Sequence, residues 1–145
     1  MPNPIYVLNG PNLNLLGKRE PGIYGGQSLV DIEAGCKERA KELGLSVEFR
    51  QTNHEGLLID WVQEAGEQSA GIVLNPGAYG HTSIALHDAI RAIAPVPVIE
   101  VHLSNIHARE PFRHHSMVSS VVEGLICGFG PIGYMLALDA LAQRL

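Results

Sequence analysis

Short apolar runs alternate along this chain with longer stretches that are apolar on one side only, and few folds accept that pattern. The runs cover residues 5–8, 45–49, 71–74, 96–101 and 125–127. Between them, residues 28–43 place Leu29, Ile32, Cys36, Ala40 and Leu43 at spacings of 3, 4, 4 and 3, one face of a helix. Ser28 and Asp31 have the spacing of a capping box, and Gly44 stands where a C-terminal cap belongs. Residues 55–67 carry Leu58, Val62 and Ala65 on one face. Residues 81–94, stopped by Pro95, and residues 132–144 predict two more helices. Largely apolar strands alternating with helices predict a parallel sheet covered on both faces.

Right-handed crossovers make such a sheet doubly wound. The expectation is therefore an α/β fold with a doubly wound five-stranded parallel sheet in flavodoxin-like order. At 145 residues, with no repeat, linker or low-complexity tract, one domain over residues 1–145 is expected. Only 17% of residues are charged, which points to surface hidden behind helices or between subunits. The net charge of −5 argues against nucleic acid as a partner, because phosphate binding needs a cationic face. The two cysteines, Cys36 and Cys127, make neither a disulfide framework nor a zinc pair. There is no basic n-region with an apolar core behind it and no apolar run of ~18 residues, so no secretory signal and no membrane span are expected. The expected location is the cytoplasm.

In sheets of this kind ligands bind in the crevice at the carboxyl ends of the strands. The polar residues of the chain gather there. Asn9, Asn12 and Asn14 follow the first run; Thr52, Asn53, His54 and Glu55 the second; Asn75 the third; His102, Ser104 and Asn105 the fourth. A purely structural protein has no need of that concentration, so an enzyme or small-ligand site is expected on this rim.

Most short motifs fail on inspection. Residues 128–133 read G-x-G-x-x-G after a strand and before a helix, yet the ribose-binding acid due ~20 residues on is missing because the chain stops twelve residues after Gly133. NAD is rejected, and the glycines are read as a tight turn against the site. A flavin site stays open on that ground, although no phosphate loop rich in Ser and Thr follows the first strand. Seven histidines lack ligand spacing, H-E-x-x-H is absent, and so is G-x-S-x-G.

The fourth strand is more informative. Strand alternation puts Glu100, His102 and Ser104 on one face. A carboxylate beside a histidine fixes its tautomer and favours its protonated form, which suits a general acid. The segment 17–26 has four glycines and one proline in ten residues and lies between strand end and helix, where a lid belongs. It carries Arg19 and Tyr24, and a cationic neighbour makes tyrosinate accessible as a base. Arg109 and Arg113 are four apart, with Pro111 between them favouring an irregular turn over a helix. They add positive charge to the rim of an acidic protein, which suits an anionic or hydroxylated small substrate.

Five longer stretches name a family: Leu8-Asn-Gly-Pro-Asn-Leu-Asn-Leu-Leu-Gly17, Arg19-x4-Tyr24-Gly25, Gln51-Thr-Asn-His-Glu-Gly56, Asn75-Pro-Gly-Ala-Tyr-Gly-His81-Thr-Ser83 and Glu100-Val-His-Leu-Ser-Asn105. In this order, and continuing through Arg109-x-x-x-Arg113, they resemble the type II 3-dehydroquinate dehydratases nearly end to end. The resemblance implies a flavodoxin-like fold, no cofactor and no metal. It implies elimination of water from 3-dehydroquinate to 3-dehydroshikimate, in the shikimate pathway or in quinate breakdown. It makes Tyr24 the base at C2, Arg19 the group that holds it as tyrosinate, His102 the acid at the C1 hydroxyl and Glu100 its orienter. Asn12 would hold a water at the enolate oxygen. Asn75, His81, Arg109, Arg113 and Asp88 fall in the substrate-binding set, with Ser104 and the N–H groups of Leu103 and Ser104 on the carboxylate. A Schiff-base route is not expected from the lysines: besides Lys18 there are only Lys37 and Lys41, on the polar face of the first helix.

The family's homododecamer, a tetramer of trimers, is implied as well. His81 and Asp88 are expected on one helix, seven residues and ~10 Å apart, too far for one small ring to bridge. Asp88 is therefore expected to serve a neighbouring subunit's site. The competing reading from a different class is a non-catalytic small-ligand module on the same fold.

Overall fold

Strands β1 (Ile5–Asn9), β3 (Gly71–Asn75) and β4 (Val98–His102) are buried along their whole length, as interior strands of a sheet covered on both faces are. The computed structural model describes residues 2–18 and 27–145. With β2 (Val47–Gln51) and β5 (Gly124–Cys127) these strands form a parallel sheet in the order β2-β1-β3-β4-β5. That is the flavodoxin-like order expected from the sequence. β4 lies inside the sheet, so its polar residues are not those of a solvated edge.

Side chains alternate across the sheet and build two cores. Ile5, Val7, Val73, Ile99 and Val101 face α1 (Leu29–Glu42) and α5 (Ile132–Ala142), packing with Ile32, Cys36, Ala40, Tyr134 and Leu138. Tyr6, Leu8, Ile72, Leu74 and Val98 face the other way, against Leu58, Val62 and Ala65 of α2 (Glu55–Gln68). Both strips of the α1 and α2 sequence pattern that were expected inside are inside, Leu29 and Leu43 at the margin. The capping box is formed: Ser28 Oγ accepts from the Asp31 N–H and Asp31 Oδ2 from the Ser28 N–H. Gly44, at φ +74°, ends the helix.

The expected helix over 81–94 is two helices. α3 (Tyr79–Thr82) ends at Ser83, which turns extended at φ −93° and ψ 101°, and α4 (Ile84–Ala92) starts afresh. The Ser83 hydroxyl accepts from the Leu86 N–H and caps α4, a local bond that competes with continuing the helix. His81 and Asp88 therefore stand on different helices, and the argument that they share one helical face is corrected. Leu86, Ala89 and Ile90 of α4 complete the second core.

Two glycines bring the strand-end loops together. A Cβ on Gly10 would lie 2.3 Å from the Pro76 carbonyl oxygen, so the loops after β1 and β3 meet backbone to backbone only without a side chain there. Gly128, at φ +97°, turns the chain after β5 where a Cβ would press on Asn105. This is the tight turn expected of the glycine motif, and Gly130 N–H closes it onto the Leu103 carbonyl at 2.9 Å.

Candidate active site

The carboxyl ends of β1, β3 and β4 open on one cleft. Asn12, Asn75, His81, His102, Leu103, Ser104, Arg109 and Arg113 line it, eight of the residues singled out in the sequence. Pro11, Leu13, Leu16 and Ile106 supply apolar wall. Glu100 lies behind the lining, and Asp88 is exposed on α4 outside it. Arg19 and Tyr24 lie outside the described residues. Among the described residues no group of three or more His, Cys, Asp or Glu side chains is placed to hold a metal ion. No described helix is long and apolar enough to cross a membrane.

Strand alternation brings Glu100 and His102 to one face, as expected, and there they bond. His102 Nε2 lies 2.5 Å from Glu100 Oε2, with the two side chains 6% and 1% exposed. Nε2–H donates to the carboxylate, which leaves Nδ1 as the nitrogen not engaged by Glu100. Ser104 sits just beyond the strand, where its hydroxyl is 3.4 Å from Arg109 Nη1. Neither the Leu103 nor the Ser104 N–H donates to another described residue. These amides with Arg109 form a corner fitted to a carboxylate.

His81 stacks near His102, with ring centroids 6.0 Å apart and planes inclined by 24°. Its Nδ1–H donates to the His115 carbonyl at 2.9 Å. Burial pushes its imidazole below the usual histidine range against that hydrogen bond, and the electrostatic influence of His102 and of the Arg113 guanidinium pushes the same way. Held neutral with the proton on Nδ1, His81 offers Nε2 as an acceptor for a substrate hydroxyl.

Arg109 and Arg113 sit on two 3-10 turns, Ile106–Ala108 leading into Arg109 and Pro111–Arg113, the irregular path that Pro111 suggested. Glu110 lies between them, 3.2 Å from Arg113 Nε and 3.6 Å from Arg109 Nε. Its own backbone N–H, then Arg113 and Arg109, hold its carboxyl below the usual range.

Asn12 takes the left-handed conformation at φ 69°, one that asparagine tolerates better than most residues. Its N–H donates to Asn53 Oδ1 at 3.0 Å, which fixes the turn at the cleft mouth. Asn75 is set from behind. Its Oδ1 accepts from the Gly77 N–H, and its Nδ2 donates to the Tyr134 hydroxyl at 2.9 Å. Tyr134 in turn donates to Asn9 Oδ1 at 2.6 Å. Tyr134 is fully buried, and burial pushes its phenol well above the usual tyrosine range, so it acts as a fixed hydroxyl. Tyr134, and Ser119 behind Glu100, are the residues that the sequence did not single out.

The described site thus brings a carboxylate-bonded histidine, a second histidine and two arginines together at the carboxyl ends of the strands. Residues 3–142 match the family model described as dehydroquinase class II. The chain belongs to that family. It is 76% identical to the 3-dehydroquinate dehydratase of Chelativorans sp. (strain BNC1) over the whole length of both chains. It is 70% identical to that of Mesorhizobium japonicum, over 97% of this chain and 98% of the relative. Among solved structures, the type II dehydroquinase of Propionibacterium acnes superposes with a TM-score of 0.94 at 50% identity, covering 99% of this chain and 98% of that one.

Proposed function

We propose that this cleft dehydrates 3-dehydroquinate through an enolate, without a cofactor, and that the chain is a hydro-lyase. One observation carries the reading: a histidine whose Nε2 is fixed by a buried carboxylate and which lines a cleft bordered by two arginines. Family membership supplies the substrate.

The chemistry follows from what each group can do. Tyr24, made basic by Arg19, removes a proton from C2, and the electrons pass to the C3 carbonyl oxygen as an enolate. That charge is the main barrier, and a positioned donor near Asn12 lowers it. As the enolate collapses, the C1–O bond breaks and the C1=C2 bond forms. His102 gives the departing hydroxyl a proton, so that water leaves, while Glu100 stabilises and orients the imidazolium. The substrate carboxylate suits the Leu103–Ser104 amides and Arg109. Asn75, His81 and Arg113 suit its hydroxyls.

Asp88 does not line the cleft of its own protomer, which is what a residue serving a neighbour's site would show. In this reading the protein works in the cytoplasm as a homododecamer, a tetramer of trimers, with each chain a single catalytic domain. The product is a conjugated enone and the substrate is not. Purified protein mixed with 3-dehydroquinate should therefore give rising ultraviolet absorbance. A flat trace would favour a ligand-binding module instead.

A further inference from the structure

Glu100 is buried, and both of its carboxylate oxygens are engaged. Oε2 meets His102, and Oε1 accepts from Ser119 Oγ at 2.6 Å. Ser119 Oγ also lies 2.7 Å from Ser116 Oγ. Proton counting fixes the direction of this chain. A hydroxyl has one proton, and a carboxylate can only accept, so Ser119 gives its proton to Glu100. Ser116 must then donate to Ser119. Ser116 Oγ itself accepts from the N–H groups of Val118, at 3.2 Å, and Ser119, at 2.9 Å. The hydrogen bonds therefore run one way, from two backbone amides through Ser116 and Ser119 to Glu100.

The segment carrying the two serines is pinned at several points. Met117 N–H donates to the Gly80 carbonyl at 2.8 Å, His81 holds the His115 carbonyl, and His87 Nδ1 holds the Met117 carbonyl at 2.7 Å. Val118 is fully buried. No other described residue donates to Glu100 Oε1. His81, Arg109 and Arg113 line the cleft together with His102.

We propose that Ser119, backed by Ser116, is a positioning residue that aims the Glu100 carboxylate at His102 and so keeps the proton of the neutral imidazole on Nε2. Ser119 does not line the cleft and touches no substrate. The proposal rests on the reading of His102 as the acid.

Ser119→Ala should lower kcat about tenfold or more, the order expected for losing a hydrogen bond to a charged, buried group. KM should stay within about twofold, because binding contacts are untouched. C2 proton exchange in heavy water should persist, so the ratio of exchange to dehydration should rise by about the factor that kcat falls. Ser119→Thr, which keeps the hydroxyl, should restore most of the rate. Ser116→Ala, which leaves Ser119 in place but undirected, should shift the same ratio by a smaller factor and serves where Ser119→Ala does not fold. In nitrogen-15 spectra of the neutral histidine, His102 should show one tautomer in the parent and a mixture in Ser119→Ala. Exchange and dehydration falling together, or an unchanged His102 spectrum, would overturn the proposal. A parent protein that does not dehydrate 3-dehydroquinate would instead overturn the functional reading, and the His102 spectra would still decide the role of Ser119.

Discussion

Glu100 and His102 are neighbours on the same face of an interior strand, and the carboxylate of one is bonded to the Nε2 of the other beneath the cleft floor. Replacing the carboxylate by an amide removes the charge and, if the amide nitrogen turns toward the ring, reverses the donor. Glu100→Gln should lower kcat by about 10²-fold, within the range for general acid–base groups, with KM little changed. Steady-state kinetics with circular dichroism as a fold control checks this. A variant with parental kcat would remove Glu100 from the acid's support.

Tyr24→Phe should lose about 10²–10⁴-fold in turnover and still bind substrate, since only the proton acceptor is gone. Calorimetric titration with 3-dehydroquinate separates the two effects. Turnover within tenfold of the parent would reassign the base.

His81 gives a pH dependence with a definite sign. Burial holds its imidazole below the usual value of 6.5 in the folded protein. Its contribution to stability is therefore present above about 6.5, where folded and unfolded states are both neutral. It is lost as pH falls from there through the depressed folded value, because the unfolded chain takes up the proton first. Denaturant melts of the parent and His81→Gln should converge as pH drops through this window. KM of the parent should rise over the same window as Nε2 is protonated. A KM flat down to the acid limit of the fold would show that His81 accepts nothing from substrate.

Asp88→Ala should weaken substrate binding or assembly and leave each protomer folded, because Asp88 is exposed and outside the cleft lining. Mixing it with Tyr24→Phe protein and reassembling changes which defects meet at one site, so activity should depart from that of the separate variants. A fully active monomer by sedimentation would contradict the shared site.

The fold was legible because its signals are local. Ile5, Val7, Tyr6 and Leu8 are all buried, so the strand reads as one apolar run, and the Ser28–Asp31 box and Gly44 mark helix ends within a few residues. The break at Ser83 was also local, a capping serine followed by an apolar turn, but helix periodicity on both sides masked it. The site's inner layer was legible where it is near in sequence: Glu100 and His102 are two residues apart. Its outer layer was not. Ser119 meets Glu100 across 19 residues and Tyr134 meets Asn9 across 125, and no spacing rule links groups that only the folded sheet brings together.

The central claim is that His102 protonates the departing hydroxyl after the enolate has formed. It is tested most directly by following His102→Ala in heavy water, measuring deuterium entry at C2 of 3-dehydroquinate beside the growth of enone absorbance. The expected result is dehydration slowed by about 10²–10⁴-fold while C2 exchange survives at a larger fraction of its parental rate. Equal loss of exchange and dehydration would contradict it.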